Sequence, residues 1–548
     1  MEMHFATVWE AIADRTPDRP AITQGDVTRS WAEYDDRAAR IAGAFAAAGL
    51  GHESKIGLFM YNSNEYMEAQ FAALKLRGVP ININYRYIDE ELWYLLDNSD
   101  AEALVYHSSL ADRVASVVDR LPDLKVIIEV DDGGAGTVSV ARPYEDVITA
   151  SEPLPRVERA EDDLYMLYTG GTTGMPKGVM YHVGGLTAGL AGSAFPILGL
   201  QAPESADDVV AAAVNNPSPM VSLPCAPLMH GTGLWLGCFI PHLIGSHVVT
   251  LTNRSLDPHE VWSTVERHGV NSVTIVGDAF AKPLLTAIDE GADGRPYDLS
   301  TVAIIQSSGV MWTSEVKQAL IDRIEQAMLI DAMGSSEGSM GSQITAKGLE
   351  TETGKFTIGV NTKVFTDDGR EVQPGSDEVG MVAAGGNVPF GYYKDEEKSA
   401  RTFKVIDGKA YSFPGDLAMV AEDGSLILLG RGSQVINSGG EKIFPEEVEE
   451  AVKRVDGVRD CLVVGVDDDK FGQAVTAVAS VEDGASVSPV SSRSSRAAAS
   501  SGRSPGSTIP PGISSVTACA PCLNWRTITS SSRRVSATTF TQAGDRIR

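Results

Sequence analysis

The residues best suited to chemistry form a loop at 168–178, with the sequence YTGGTTGMPKG. Its glycines let the backbone turn sharply and bring N–H groups close to a ligand. Its threonine hydroxyls and the Lys177 ammonium add donors and a positive charge, which suit phosphate oxygens. The pattern is not that of a Walker loop, because Gly178 rather than Ser or Thr follows the lysine. Read alone, the same segment is also typical of a glycine-rich hairpin.

A second candidate lies at 328–338, where an apolar run, MLIDAM, ends in the turn GSSEG. This turn presents Ser335, Ser336 and Glu337 just beyond a predicted strand. A carboxylate beside hydroxyls can hold Mg²⁺ through oxygen ligands. The alternative is an ordinary solvated loop glutamate.

Three weaker candidates follow other predicted strands. His230 lies between an apolar strand and a glycine-containing helix, where a lone histidine is more often structural than catalytic. At Ser308 and Gly309 a backbone can approach a flat ring closely. Asp416, after Gly415, can accept ribose hydroxyls, although Gly-Asp is also a common turn.

The elements that would position these residues alternate between short apolar strands and longer helices. This alternation predicts an α/β fold with mostly parallel strands. A chain of 548 residues is too long for one core, so we expect a large multi-layer domain and a smaller one. The predicted strands include 55–60, 79–83, 103–106, 164–167, 220–224, 273–278 and 302–305, and the predicted helices include 65–77 and 89–98.

Composition excludes several classes of protein. A hydrophobic content of 43% and a charged content of 22% are ordinary for a globular enzyme. The net charge of −28 argues against a nucleic-acid partner. No apolar run of about twenty residues predicts a membrane span, and the first residues do not resemble a secretory signal, so we expect a cytoplasmic protein. Five cysteines do not form a disulfide framework, and Cys225, Cys238 and Cys461 are predicted core residues.

Four separated motifs, at 168–178, 331–337, 415–416 and 430–449, resemble in order and spacing those of the adenylate-forming (AMP-binding) superfamily. The resemblance covers about residues 5–483. Three short sequences are most similar to those of bacterial fatty-acyl or steroid-side-chain acyl-CoA synthetases: SGVMW at 308–312, DAMG at 331–334 and NSGGEK at 437–442.

This resemblance implies an ATP-dependent acyl-CoA synthetase. A carboxylic acid and ATP would give acyl-AMP and pyrophosphate, and coenzyme A would then take the acyl group and release AMP. Residues 1–431 would form the large ATP- and acyl-binding domain, and residues 432–483 the start of a small mobile α+β lid. Mg²⁺ would assist. The acyl pocket would draw on the neighbourhood of His230, Trp235 and residues 276–278 and 307–310, where glycine and serine suggest a medium-chain, long-chain or bulky acid rather than acetate.

The resemblance also assigns roles to individual residues. Thr169, Lys177, His230 and Glu337 would be catalytic, with His230 lining the acyl site and Glu337 binding Mg²⁺. Ser336 would contact the α-phosphate region, Asp416 the ribose, and Arg431 the ribose or a phosphate. Residues implied to bind ATP or CoA are Thr169, Gly170, Gly171, Thr172, Thr173, Gly174, Lys177, Ser308, Gly309, Asp331, Ala332, Met333, Gly334, Ser336, Asp416, Arg431, Gly439 and Gly440, the last two facing the pantetheine tunnel.

The chain departs from the family pattern at three places. Met333 stands where an aromatic ring usually stacks on adenine, and Ser433 stands at a hinge position often held by Asp or Lys. The family also has a lysine near its C-terminus that reaches the carboxylate and the α-phosphate, whereas the last lysine here is Lys470, in a predicted inter-strand loop. We therefore expect impaired adenylation.

The composition changes abruptly near residue 484. Residues 484–548 contain sixteen serines, eight arginines and one acidic residue, Asp545, and carry a formal charge of +7 against −35 for residues 1–483. Three interpretations stay open: a translated frameshift, a disordered basic extension, or half of a zinc site at Cys519 and Cys522.

Two classes of function remain. The first is an acyl-CoA ligase, intact or impaired by its tail. The second is a non-catalytic ATP- or acyl-adenylate-binding protein. Within enzymes, a luciferase or a carrier-dependent adenylation domain is an alternative, although no carrier domain follows.

Overall fold

The computed structural model describes residues 1–136, 138–170, 175–349, 352–438, 441–453, 457–468, 472–481 and 515–519. The predictions for Gly171, Thr172, Thr173, Gly174, Gly439 and Gly440 lie outside these residues, as does Lys470. The chain divides into two compact units, Met1–Leu428 and Leu429–Arg548. Large sheets with parallel strands confirm the predicted α/β fold.

One sheet of the first unit, the N-terminal parallel sheet, has five strands whose pairings are all parallel. Its inner strands are short apolar runs buried on both faces, as parallel sheets require. In order across the sheet its strands are Val79–Asn82, Lys55–Phe59, Ala101–His107, Val126–Val130 and Arg142–Pro143.

A fifteen-stranded central sheet forms the second layer. Six adjacent strands, from Pro20–Gln24 to Met328–Ser335, run parallel, and an antiparallel part follows. The order across the sheet is Val27–Ser30, Pro20–Gln24, His247–Thr250, Val221–Pro224, Ser272–Ile275, Ile304–Ser308, Met328–Ser335, Gly338–Thr345, Lys355–Ile358, Leu426–Arg431, Asp416–Val420, Gly380–Gly385, Lys409–Ser412 and Phe403–Ile406, with Lys363–Phe365 beside Gly380–Gly385.

A small third sheet, the hairpin sheet, carries the glycine-rich loop. Strands Leu164–Thr169 and Lys177–His182 pair antiparallel, and the short strand Gly391–Tyr392 extends the sheet on the second of them. Its buried tyrosines, Tyr165 and Tyr181, pack in the main core beside Trp235 and Phe239.

Helices cover the faces of these sheets. Several begin at side-chain caps: Ser63 accepts from the Tyr66 N–H (3.1 Å), and Ser30 and Glu33 form a capping box. The described helices of the first unit are Phe5–Arg15, Trp31–Ala47, Asn64–Lys75, Asp89–Asn98, Ala111–Ala115, Tyr144–Ala150, Val183–Ala194, Ala206–Asn215, Ile240–Leu243, Pro258–His268, Gly277–Glu290, Ser314–Arg323 and Glu396–Thr402, with 3₁₀ turns at Ser108–Leu110, Val118–Arg120 and Phe195–Leu198 and a π-helical segment at Thr232–Phe239.

The second unit is a small α+β structure. Helix Pro445–Lys453 packs on one face of its sheet through Val448 and Val452. The sheet contains the strands Glu441–Ile443, Ile436–Ser438, Gly472–Val481 and Val458–Asp468, together with Ser515–Cys519, which pairs in parallel with Gly472–Val481. A 3₁₀ turn at Gly432–Gln434 precedes them.

Two simpler expectations concern cysteines and membrane spans. Cys225, Cys238 and Cys461 are free and buried, as predicted for core residues. Within the described ranges, every helix is too short or too polar to cross a lipid bilayer.

Three histidines are buried in the first unit and used there in neutral form. The Nδ1 of His4 accepts from the Ala6 N–H (3.1 Å) at the start of the first helix, and the Nδ1 of His107 accepts from the Tyr61 N–H (3.0 Å). His242 contacts the Ala21 carbonyl (3.2 Å). Burial lowers the pKa of His4 to about 3 and the pKa values of His107 and His242 to about 4.

We therefore expect the first unit to lose stability as the pH falls from 7.5 to 5.5. Histidines of the unfolded chain have the ordinary pKa of 6.5, so below that pH the unfolded state binds protons that the folded state excludes. At pH 5.5 this costs about 1.4 kcal/mol per histidine, or about 4 kcal/mol for the three. Urea titrations at the two pH values would measure it.

His107→Gln should reduce the loss of unfolding free energy between pH 7.5 and 5.5 by about 1.4 kcal/mol, the contribution of one histidine. Ser193→Ala, at an exposed position without a titratable side chain, should leave the pH dependence unchanged. Equal free energies of unfolding at pH 5.5 and 7.5 would contradict the expectation.

Candidate functional site

The carboxyl ends of four adjacent parallel strands define one edge of the central sheet. Strands Val221–Pro224, Ser272–Ile275, Ile304–Ser308 and Met328–Ser335 lie side by side in that order. The segments that follow them contain His230, Gly277, Gly309 and Glu337. Ligands of α/β proteins bind at this edge, and the structure thus brings three of the predicted segments together.

Glu337 lies in the two-residue turn between the antiparallel strands Met328–Ser335 and Gly338–Thr345. Its N–H donates to the Ser335 hydroxyl (3.1 Å), and its Oε2 accepts from the Ser336 hydroxyl (3.1 Å). The side chain is largely buried, and its Oε1 accepts from the Tyr392 hydroxyl (2.8 Å). Glu337 is therefore a positioned carboxylate rather than a solvated loop residue.

Two tyrosines of the hairpin sheet reach this turn. Tyr392 contacts the Glu337 carboxylate, and the Tyr181 hydroxyl donates to the Ser336 carbonyl (2.9 Å). Both tyrosines are buried. They connect the strands that carry the glycine-rich loop to the acidic turn, and neither is among the site residues predicted from the sequence. The Gly-Tyr-Tyr sequence at 391–393 is the pattern from which a role for Tyr392 could have been predicted.

The glycine-rich loop is the tip of a hairpin, with Thr169 paired to Lys177 across its base. It differs from a Walker loop in structure as well as in sequence, because a strand rather than a helix follows it. A side chain at Gly170 would meet none of the described atoms within 4 Å, so among the described residues the loop base borders open space. Open space on this side leaves room for phosphates.

Lys177 forms an ion pair with Asp395. Asp395 also caps helix Glu396–Thr402 by accepting from the Lys398 N–H (2.9 Å). The Lys177 ammonium holds the pKa of Asp395 below its usual value. A phosphate at this loop would share Lys177 with Asp395.

The DAMG segment presents backbone rather than side chains. The Asp331 carboxylate is buried and accepts from the Lys317 ammonium (2.7 Å), and Met333 packs in a buried cluster with Met340 and Phe356. Burial raises the pKa of Asp331 despite Lys317. Ala332 and Gly334 alternate with these residues and are partly accessible, so contacts with adenine fall most readily to them.

His230 is exposed at the edge of the central sheet. Removal of part of the ring from water and the nearby Arg86 guanidinium lower its pKa. The segment Thr232–Phe239 that follows is π-helical, a geometry frequent at functional sites. Within it, the Trp235 indole donates to the Tyr165 hydroxyl (3.2 Å).

The structure narrows the predicted acyl pocket. A side chain at Gly277 would lie 2.4 Å from the Met311 carbonyl, the buried Ser307 hydroxyl accepts from the Gly277 N–H (2.8 Å), and Asp278 accepts from Thr313. These contacts fill the space around Gly277 instead of leaving room for an acyl chain. Gly309 is exposed, and a Cβ atom added at this position would lie 3.7 Å from the Thr232 hydroxyl oxygen.

Asp416 and Arg431 lie in two different units. Asp416 is mostly buried at the first position of strand Asp416–Val420, after Gly415, whose φ of 103° favours glycine. Arg431 ends strand Leu426–Arg431 and belongs to the second unit. Their ribose and phosphate contacts stay predictions.

Comparisons with known proteins show the family of the chain. The family model described as "AMP-binding enzyme" matches residues 9–393. A 3-oxocholest-4-en-26-oate–CoA ligase of Rhodococcus rhodochrous is 39% identical over 494 residues, covering 89% of this chain and 88% of the relative. A medium-chain acyl-CoA ligase of Mycobacterium avium is 40% identical over 500 residues, covering 88% and 89%.

Solved structures show the same fold. ATP-bound MatB from Rhodopseudomonas palustris superposes with a TM-score of 0.73 at 22% identity, covering 89% of this chain and 90% of that one. The chain and MatB thus share a fold.

The chain belongs to the AMP-binding enzyme family, and its relatives at about 39% identity place it among the acyl-CoA ligases. The family predicted from the four motifs is confirmed.

Proposed function

We propose that this chain is an ATP-dependent, AMP-forming acyl-CoA ligase for a medium-chain, long-chain or steroid-like acid, working in the cytoplasm, where its co-substrates are available. The positioned Glu337 at the sheet edge, tied by two tyrosines to the glycine-rich hairpin, carries the proposal. The names of its relatives, ligases of fatty acids and of a cholestenoate, support the acid class.

In the first half-reaction, a carboxylate oxygen attacks the α-phosphorus of ATP, and pyrophosphate leaves. Little covalent chemistry falls to the protein, so positioning and charge neutralisation dominate. Thr169, Gly170 and Lys177 would hold the β- and γ-phosphates, Ser336 the α-phosphate, and Asp416 the ribose. Ser308, Gly309, Ala332 and Gly334 would border the adenine.

The residues present fit a magnesium ion shared with ATP. Two hydrogen bonds to the Glu337 carboxylate leave acceptor capacity for a cation. Among the described residues, no three His, Cys, Asp or Glu side chains gather into a metal site, which suits Mg²⁺ held by one carboxylate, phosphates and water. Bound there, Mg²⁺ would neutralise phosphate charge.

In the second half-reaction, the CoA sulfur attacks the acyl carbon, the bond to AMP breaks, and the thiol proton is lost to solvent. His230 would border the acyl group at the sheet edge. The lowered pKa of His230 favours its neutral ring.

The test supplies the chain with preformed dodecanoyl-adenylate and CoA, so that adenylation is bypassed. We expect dodecanoyl-CoA and AMP in equal amounts, measured by chromatography, and much slower conversion of acetyl-adenylate. His230→Ala should slow the reaction, and the exposed His259→Ala should serve as its matched control. Binding of the adenylate without any thioester would instead support a non-catalytic binding protein.

A further inference from the structure

Asn82 lies at the end of an edge strand in the N-terminal parallel sheet, and its side chain is almost fully buried at 5% exposure. A buried amide needs hydrogen-bond partners, since leaving one unpaired is costly. Its partners therefore show what this side chain does in the fold.

The Asn82 amide contacts two segments of the site at once. Its Oδ1 accepts from the Tyr168 N–H (2.7 Å), and its Nδ2 donates to the Tyr168 carbonyl (2.8 Å). The same Nδ2 donates to the Met229 carbonyl (2.7 Å). Tyr168 directly precedes Thr169 of the glycine-rich loop, and Met229 directly precedes His230.

Two other side chains, Asn62 and Tyr66, hold the part of the chain at 226–228 that precedes His230. Asn62 donates to the Ala226 carbonyl (3.1 Å) and accepts from the Leu228 N–H (2.8 Å), and the Tyr66 hydroxyl donates to the Leu228 carbonyl (3.2 Å). This irregular stretch thus obtains its position from side chains. Among the described contacts of these three side chains, only those of Asn82 also include hydrogen bonds to the hairpin.

We propose that Asn82 is a positioning residue that sets the His230 segment in register with the phosphate-binding hairpin, so that the acyl group of a bound acyl-adenylate keeps its position relative to the phosphate site. The inference rests on the proposed function. Asn82 acts through two backbone segments and does not itself touch substrate.

The test measures binding of two probes by calorimetry, dodecanoyl-sulfamoyl-adenosine and AMP. Asn82→Asp keeps the acceptor for the Tyr168 N–H but turns an oxygen toward two carbonyls. We expect at least tenfold weaker binding of the sulfamoyl adenylate and less than threefold change for AMP, because the proposed AMP contacts, at Ser336 and Asp416, have no hydrogen bond to Asn82 among those described.

Asn64→Ala is the matched control, since this buried amide donates only to the Val27 carbonyl (3.0 Å) among the described contacts. It should leave the ratio of the two affinities unchanged whatever its effect on the melting temperature. Asn82→Ala, which removes all three contacts, should change the ratio in the same direction if the aspartate variant does not fold.

A ratio within twofold of the parent in folded Asn82 variants, or equal weakening of both probes, would overturn the inference. A parent chain that binds the sulfamoyl adenylate no better than AMP would instead reject the proposed function on which it rests.

Discussion

Given ATP, Mg²⁺ and dodecanoate, the chain should release pyrophosphate about 10²–10³-fold more slowly than a chimera in which a relative's C-terminal segment replaces residues 484–548. The family places a lysine in that segment, beside the carboxylate and the α-phosphate, whereas Lys470 is the last lysine here. One positioned charge in such a transition state contributes about 2.7–4 kcal/mol. Single-turnover pyrophosphate release would measure the difference.

A second chimera, with the grafted lysine replaced by alanine, separates the charge from the rest of the segment. It should adenylate as slowly as the parent. All three proteins should convert supplied dodecanoyl-adenylate to the thioester at similar rates, because that step does not need the lysine. Equal pyrophosphate release by parent and chimera would refute the expectation.

Glu337→Gln should have the second largest effect, an expected 10²–10³-fold loss of adenylation in the lysine-containing chimera. Glutamine retains an oxygen for the Tyr392 hydroxyl, so the turn should keep its shape while the negative charge is lost. When Glu337→Gln is made in the parent chain instead of the chimera, Mg²⁺ should no longer strengthen ATP binding, as measured by calorimetry. This readout does not depend on turnover.

Two further variants calibrate that result. Glu204→Gln, at an exposed position, should change neither measurement. Tyr392→Phe removes one donor to the carboxylate (2.8 Å) and should cost about 0.5–1.5 kcal/mol, or roughly tenfold at most. Retention of Mg²⁺-dependent ATP binding by Glu337→Gln would show that another group holds the metal.

Local patterns predicted most elements well and their ends less well. Helix Asp89–Asn98 matches the prediction. The strand predicted at 302–305 runs instead over Ile304–Ser308, so Ser307 and Ser308 are strand residues rather than loop. Pairing with Met328–Ser335 extends it, and such pairing cannot be seen in a single segment.

The sequence by itself determined the family and the chemistry, because the phosphate loop, the acidic turn and the glycine-aspartate turn are short, contiguous motifs whose side chains and backbone act locally. Only the tertiary structure decided which residues hold them. Asp331 is bound by Lys317, Lys177 by Asp395, and Glu337 by Tyr392. Asn82 joins Tyr168 to Met229 across 86 and 147 residues of chain. These contacts depend on how separate sheets pack, and burial rather than spacing selects the polar groups that must pair.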